Sequence, residues 1–137
     1  MSLLDVFDIA GSAMSAQSVR LNVTSSNLAN AQSAGGDEDS TYRARNPVFS
    51  AVMQSLRGNA ASVGVKVDGI YESQAKLEQQ YQPNNPLANE EGYVFLPNVN
   101  MVDEMANMIS ASRSYQSNVE VLNTSKQMML ATLRMGQ

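Results

Sequence analysis

Apolar side chains recur along the first segment of the chain at alternating steps of four and three residues. This spacing is typical of a helix that packs on a neighbouring helix, and it predicts a helix of about 28 residues. Ser2 is a candidate N-cap, and Ala34-Gly35-Gly36 is a candidate stop because glycine tolerates a left-handed backbone. The large residues of this stripe are Leu3, Phe7, Met14, Leu21 and Leu28.

The last segment repeats the same spacing over a longer stretch. Asn100 is placed to cap a helix there, and Asp103 and Glu104 fall in its first turn, where the helix dipole favours negative charge. Two long helices at the two ends of the sequence are expected to pair antiparallel, as a coiled-coil-like hairpin, if the segment between them folds as a compact insert. The stripe of the second helix contains Met101, Met105, Met108, Tyr115, Val119, Leu122, Met129 and Leu133.

Between the two stripes the pattern changes to the short alternations of β-strands. Residues 42–49 are predicted to be extended, because Pro47 disfavours a helical conformation in the residue before it. Residues 63–71 alternate at period two and contain two glycines, which indicate a bulge or bend. Residues 77–81 and 93–96 are two further strand candidates. The Pro/Asn-rich linker 82–92 separates them.

Charge divides the chain in the same way as hydropathy. The two terminal segments carry few charges, whereas residues 37–97 hold eight acids and five bases. We therefore predict an α+β fold in which a terminal helical domain, residues 1–34 and 98–137, carries a small central β insert, residues 35–97. The charged insert is expected to face solvent, and the helices are expected to face other protein.

Composition excludes most kinds of active site. The chain has no Cys and no His, so it cannot hold a thiolate nucleophile, an imidazole base or a Cys/His zinc shell. The acidic run 37–39 lacks the alternating ligands of a calcium loop. A net charge of −4 without a basic stripe disfavours nucleic acid, and no apolar run is long enough to insert in a membrane. We predict no catalytic, cofactor or metal site.

The two apolar stripes need more partners than one chain supplies. A helix pair is too thin to cover its own apolar faces, so we predict that both stripes form subunit interfaces in an oligomer. A second interpretation stays open at this point. Five of the nine methionines lie between Met101 and Met129, and flexible thioethers also suit a soluble helical adaptor that binds partner helices in a Met-rich groove.

The motifs at the two ends are more specific than their periodicity. Residues 96–120 resemble the C-terminal signature of flagellar basal-body rod proteins, and residues 9–31 are similar to their N-terminal motif. Residues 81–94 are similar to the linker of the proximal-rod members of this family. The positions that we take as the family motif are Ser26, Asn27, Asn30, Pro97, Asn98, Asn100, Glu104, Arg113 and Tyr115.

The resemblance implies a structural role. Rod proteins form a helical tube that transmits motor torque, so the expected partners are neighbouring copies of the chain, other rod subunits, and rod-base and rod-cap proteins. The resemblance also implies export through the flagellar type III apparatus without a cleaved signal peptide, and a location in the rod that spans the periplasm. On this interpretation the protein binds no nucleic acid, does not insert in a membrane and is not an enzyme.

Overall fold

The computed structural model describes residues 3–54 and 62–136 of the chain. These residues form two long helices with four strands between them, which confirms the predicted α+β class. The elements in chain order are α1 (Leu3–Asn30), β1 (Arg45–Gln54), β2 (Ser62–Glu72), β3 (Glu78–Tyr81), β4 (Tyr93–Leu96) and α2 (Met101–Met135).

The two helices lie antiparallel, as the terminal stripes predict. Arg20 on α1 donates a hydrogen bond from Nη2 to Oδ1 of Asn107 on α2, at 2.8 Å. Further along α1, Asn27 donates from Nδ2 to Oε2 of Glu104, at 3.2 Å. The residue later in α1, Asn27, thus contacts the residue earlier in α2, Glu104, so the two helices run in opposite directions.

Small residues allow the two helices to approach closely. Within the described residues α1 is the element that packs on α2, so α1 covers the two buried residues of α2, Ala111 and Ser125. On α1, Ala10 and Ala16 are buried as well. Because α2 has 35 residues against 28 in α1, and Ser125 is the last buried residue of α2, the C-terminal turns of α2 extend past the part that α1 covers.

The helix ends differ from the sequence prediction at one point. Asn100 caps α2 as expected, since its Oδ1 accepts hydrogen bonds from the backbone N–H groups of Val102 and Asp103 at 3.0 and 3.4 Å. α1 has the predicted length of 28 residues, but it ends at Asn30, before the predicted stop at Ala34-Gly35-Gly36. Ser2, the predicted N-cap of that helix, lies outside the described residues.

Gly35 instead allows the segment after α1 to lie close to β4. It forms an isolated antiparallel bridge with Phe95 of β4, in which each backbone N–H donates to the other carbonyl at 2.9 Å. A Cβ on Gly35 would collide with Oγ1 of Thr41, so a residue with a side chain does not fit there. The bridge ties the segment after α1 to the strand that precedes α2.

The central strands form two separate two-stranded sheets. β1 pairs antiparallel with β2, and β3 pairs antiparallel with β4. In the first hairpin Val48 lies opposite Gly69 and Phe49 lies opposite Val67, so Asp68 is an extra residue in β2. This β-bulge confirms the irregularity that the glycines of the strand predict.

The first hairpin lies along α1. The backbone N–H of Val65 donates to Oγ of Ser12 at 3.2 Å, and a Cβ on Gly64 would lie 3.2 Å from the same oxygen. At the other end of the hairpin the backbone of Arg45 is bound by Asn27. β1 therefore runs antiparallel to α1. The division into a helical domain and a β insert stays a prediction. The β1–β2 hairpin lies in the predicted insert, and it packs on α1 of the predicted helical domain.

The second hairpin and the loops around it form a head at the end of the helix pair where α1 stops and α2 starts. Val94 is completely buried in this head. The linker 82–92 turns the chain back on itself, and the N–H of Gln82 donates to the carbonyl of Gly92 at 2.9 Å. The other buried residues of the head include Thr41, Ala44, Leu77, Phe95 and Pro97.

We expect replacement of Gly92 by alanine to destabilise the head. Gly92 has a φ of +82°, and an added Cβ would lie 2.9 Å from Cε2 of Tyr81. Gly92→Ala should lower the free energy of unfolding by about 1–3 kcal/mol, because it combines backbone strain with a steric clash. Urea unfolding followed by circular dichroism measures the loss. Gly69→Ala is the control, because an added Cβ there meets no atom within 4 Å; equal losses in the two variants would contradict the prediction.

Candidate functional site: a polar junction and exposed apolar faces

Asn27 joins three segments of the chain where the helices meet the head. The residue is 1% exposed, and its side chain makes four hydrogen bonds. Oδ1 accepts from the backbone N–H of Arg45 at 2.9 Å and from the hydroxyl of Tyr42 at 2.8 Å. Nδ2 donates to the carbonyl of Arg45 at 2.8 Å and to the carboxylate of Glu104 at 3.2 Å. Because an amide has two N–H donors and two acceptor lone pairs, the hydrogen-bonding capacity of Asn27 is filled.

Neighbouring residues on α1 and β1 hold the Tyr42 ring in place. The Ser26 and Tyr42 hydroxyl oxygens are 3.3 Å apart, and Asn30 donates from Nδ2 to the Ser26 carbonyl at 2.8 Å in the last turn of α1. The guanidinium carbon of Arg45 lies 5.4 Å from the centre of the Tyr42 ring, within the range of a cation–π contact. The phenol therefore bonds to α1 at its hydroxyl and contacts β1 through its face.

A second asparagine, Asn98, connects the loops of the head. Its Oδ1 accepts from the backbone N–H of Ala44 at 2.8 Å, and its Nδ2 donates to the carbonyls of Ala75 and Ser73 at 2.9 and 3.4 Å. Arg43 donates from Nη1 to the same two carbonyls, at 3.3 and 3.4 Å. The segment before α2, the segment before β1 and the segment after β2 are thereby held together.

The structure brings most of the family-motif positions to this region and leaves two apart. Arg113 is exposed and Tyr115 is half-buried, both further along α2. Their part in subunit contacts stays a prediction. The motif residues at the helix–head junction are Ser26, Asn27, Asn30, Pro97, Asn98, Asn100 and Glu104.

Sequence reasoning missed the residues that complete the junction. The pattern of residues 42–49 predicts only an extended segment, yet Tyr42 and Arg45 supply partners of Asn27. Arg45 also pairs across the hairpin with Glu72, with Nη2 2.9 Å from Oε1. Periodicity cannot mark such residues, because their partners are distant in sequence. The available signal is an uncharged polar residue such as Asn27 within an apolar stripe, which indicates a buried hydrogen-bonding partner.

The predicted interface residues are covered to different extents in the single chain. Met105 is 48% exposed and Leu133 is 64% exposed. The side chain of Leu3 lies outside those that the structure describes. Contact of these residues with other subunits stays a prediction. The half-buried members of the set are Phe7, Met14, Leu21, Leu28, Met101, Met108, Tyr115, Val119, Leu122 and Met129.

α2 carries additional apolar side chains on sides that α1 does not cover. Val102 and Met135 are 74% and 82% exposed. Single exposed apolar residues are ordinary on a protein surface, but a set of them along one helix indicates a contact surface. Four others are exposed: Ile109, Val121, Met128 and Leu130.

The acidic run 37–39 forms a solvated turn. Oδ1 of Asp37 accepts from the backbone N–H of Ser40 at 2.7 Å, and hydrogen bonds from Ser40 hold the pKa of Asp37 below its ordinary value. Among the described residues no group of three or more acidic side chains is placed to hold a metal ion. Neither of the two described helices combines the length and the hydropathy needed to cross a bilayer.

Two sequence families and a set of full-length relatives match the chain. Residues 7–35 match the family described as "Flagella basal body rod protein", and residues 90–135 match "Flagellar basal body rod FlgEFG protein C-terminal". The flagellar basal-body rod proteins FlgC of Escherichia coli O6:H1 and of Salmonella typhimurium LT2 are 57% and 56% identical to it, and each alignment covers 100% of both chains. The chain belongs to the FlgC family of flagellar basal-body rod proteins. A more distant FlgC, from Buchnera aphidicola subsp. Acyrthosiphon pisum, is 45% identical over 139 residues, again with full coverage of both chains.

Membership of the FlgC family confirms the functional prediction from the terminal motifs. The chain is a structural subunit of the proximal rod in the flagellar basal body, and it is not an enzyme. The adaptor hypothesis is thereby set aside. The first match covers most of α1, including Asn27. The second covers α2 and the residues just before it, including Asn98 and Glu104.

We expect removal of the Asn27 side chain to loosen the junction. Asn27→Ala removes the partner of the Arg45 backbone N–H and carbonyl and leaves the Tyr42 hydroxyl with Ser26 alone, which should cost about 3 kcal/mol. Exchange of the Arg45 amide hydrogen should become about 100-fold faster, because each 1.4 kcal/mol is a factor of ten. Asn30→Ala is the matched control, since the Asn30 side chain donates to the carbonyl of Ser26 within α1. Unchanged exchange at Arg45 in the Asn27 variant would refute the role given to this residue.

Proposed function

We propose that the chain assembles with copies of itself and with other rod subunits into a helical tube that transmits motor torque. The exposed apolar side chains of α2 support this proposal, since a single chain leaves them in water and neighbouring subunits remove them from it. The stripes predicted on α1 and α2 are the surfaces assigned to these contacts. Met105 and Leu133, the two most exposed members of the α2 stripe, are free to contact neighbours.

The contacts between subunits are proposed to join unlike patches. α1, α2 and the β1–β2 hairpin present surfaces of different shape, so a contact between two of them is heterologous. A heterologous contact leaves one copy of each patch free, and it repeats along a helix instead of closing into a dimer. This property is what a tube made of many subunits requires.

The charge content of α2 suits dense packing between subunits. Three acids and three bases are spread over its 35 residues, and two of the acids lie in the first turn. Charges placed there stabilise the helix end. The apolar and uncharged polar residues that remain can be buried without leaving an unpaired ion, which would cost several kcal/mol.

The junction at Asn27 supports a role in torque transmission. It connects α1 to α2 and to β1 through bonds of fixed direction. A load applied to one of these elements therefore reaches the other two through hydrogen bonds as well as through apolar contacts, which resist sliding less. We infer that the subunit moves as one body when the rod turns.

Export and location are part of the same proposal. We propose that the chain passes through the flagellar type III apparatus without a cleaved signal peptide and works where the rod spans the periplasm, in contact with rod-base and rod-cap proteins. The family motifs at both ends support this. The lack of cysteine in the sequence fits an oxidising compartment, because no incorrect disulfide can form there.

Hydrogen exchange tests the assembly proposal. In the free chain, amides in residues 126–135 should exchange faster than those beside Asn27, because α1 does not cover the last turns of α2. In isolated basal bodies the same amides should become protected. Amides beside Asn27 serve as an internal reference that is protected in both samples. Equal exchange of residues 126–135 in the free chain and in basal bodies would count against burial of this helix by neighbours.

A charge at an exposed apolar position separates folding from assembly. Met105→Asp should leave the free chain folded, because Met105 is 48% exposed, but it should abolish swimming in soft agar. The reason is that burial of an unpaired carboxylate between subunits costs several kcal/mol. Met105→Leu, which keeps the apolar volume, should swim normally. Normal swimming of the aspartate variant would contradict the place of Met105 in an interface.

A further inference from the structure

The outer edge of β1 carries backbone groups without a partner. Val65 lies opposite Ala51, and its N–H donates to Oγ of Ser12 on α1, so it points away from β1. In an antiparallel ladder both members of such a pair turn their N–H and carbonyl groups outward, and so does the residue two positions along the strand. The backbone groups of Ala51 and Phe49 therefore point away from β2, and among the described residues no hydrogen bond reaches them. We call these outward groups the β1 edge.

The β1 edge lacks the features that protect most exposed edge strands. Natural edge strands are usually guarded by charged side chains or covered by another element. Residues 46–54 contain no charge, and Val48, Phe49 and Val52 are exposed. Beside Phe49 a space of about 350 Å³ separates β1 from both helices, so neither helix covers the edge there. A row of free N–H and carbonyl groups on an uncharged strand is complemented by another extended backbone.

β3 has a second edge of this kind. Phe95 lies opposite Gln79 and exchanges both of its backbone hydrogen bonds with Gly35, so the backbone groups of Phe95 and Gln79 point away from each other. Gln79 and Tyr81 thus turn their N–H and carbonyl groups to the outer side of β3, where the described part of the chain supplies no partner. All residues of β3 are exposed, and Tyr81 is 63% exposed. We call these outward groups the β3 edge.

We propose that the β3 edge of one copy pairs antiparallel with the β1 edge of a second copy, with Gln79 opposite Ala51 and Tyr81 opposite Phe49. The proposal rests on the self-assembly proposed above and names the strands that carry it. The residues of each pair exchange both of their N–H···O bonds, as in an ordinary antiparallel ladder. The β1–β2 sheet of one copy and the β3–β4 sheet of the next then form one sheet across the subunit boundary.

Two features of the side chains favour this register. Phe49 and Tyr81 are both exposed aromatic residues, and aromatic pairs across neighbouring strands stabilise a sheet. Two residues further along, the same register brings Pro83 opposite Pro47. Neither proline has an N–H to donate, so the ladder ends at this pair without leaving a donor unpaired.

The pairing joins two unlike edges. Each copy that has used its β1 edge still has a free β3 edge, so the contact repeats along an axis. Pairing of two β1 edges would instead close a two-fold dimer and leave the β3 edge uncovered. The edge of β3 in a second copy is therefore the occupant that agrees with repeated assembly.

Disulfide cross-linking in assembled rods tests the proposal, because the chain has no cysteine. A chain with both Ala51→Cys and Gln79→Cys should form covalent dimers and larger multiples in basal bodies after mild oxidation. The yield should be about tenfold above that of either single variant, since a disulfide needs Cα atoms within about 7 Å and this pair places them at about 5.5 Å. Ala51→Cys combined with Asp39→Cys is the control, because exposed Asp39 lies in the turn after α1 and on neither edge.

Hydrogen exchange of the unmodified protein gives a second measurement. In the free chain the amides of Ala51 and Gln79 should exchange fast, because their N–H groups have no partner. In basal bodies both should exchange about 100-fold more slowly, since a ladder hydrogen bond must open before exchange occurs. Protection of only one of the two amides would contradict the pairing of these two edges.

Swimming under reducing conditions shows that the variant rods assemble. If they assemble and the double variant gives no more multiples than the single variants and the Asp39 control, the proposed contact is wrong while the role as a rod subunit stands. Equal cross-linking by Ala51→Cys alone indicates pairing of two β1 edges, and cross-linking only to a different rod protein indicates another partner; either result overturns the proposal. If the variant rods fail to assemble, the exchange measurement decides, and unchanged exchange of Ala51 and Gln79 in basal bodies rejects the contact.

Discussion

Four hydrogen bonds from one buried amide decide how the parts of this rod subunit are arranged. Asn27 binds the backbone of β1 on both its N–H and its carbonyl, and it binds a residue of α2 from the same amide. Apolar contacts alone would allow the hairpin and the helices to slide past one another at little cost. Hydrogen bonds have a direction and a fixed length, so they select one register. The apolar surfaces that face neighbouring subunits are displayed at fixed positions as a result.

Elements with a local cause could be predicted from the sequence, and elements with a distant cause could not. α2 begins after Asn100 because a capping side chain directly precedes the apolar stripe. The strands appear where side chains alternate. The role of Gly35 could not be predicted, since this glycine is required by its contacts with Phe95 and Thr41 and does not end α1. Likewise, no local pattern records that the β1–β2 sheet packs on α1 while β3 and β4 form a separate sheet.

The candidate site shows the same division. The motif asparagines are recognisable in the sequence. Their hydrogen-bonding partners, such as Tyr42 and Ala44, belong to no motif, so the sequence does not show which groups the asparagines bind. Helical periodicity predicts that a residue lies on an apolar face and cannot say which chain covers it. Met108 is half-buried in the single chain while Met105 is exposed, although the two belong to one predicted stripe. The same spacing serves contacts within and between subunits.

The bulge in β2 resolves a mismatch of parity in the hairpin. Val67 and Ile70 are an odd number of positions apart, so a regular strand would place them on opposite faces of the sheet. The bulge restores the phase because it leaves Asp68 unpaired, so that Val67 lies opposite Phe49 and Ile70 lies opposite Pro47, two residues that share a face of β1. The bulge thus keeps Val67 and Ile70 on one side of a narrow ribbon although an odd number of positions separates them. Regular pairing of Asp68, without the bulge, would turn Ile70 to the opposite side without changing a single apolar side chain.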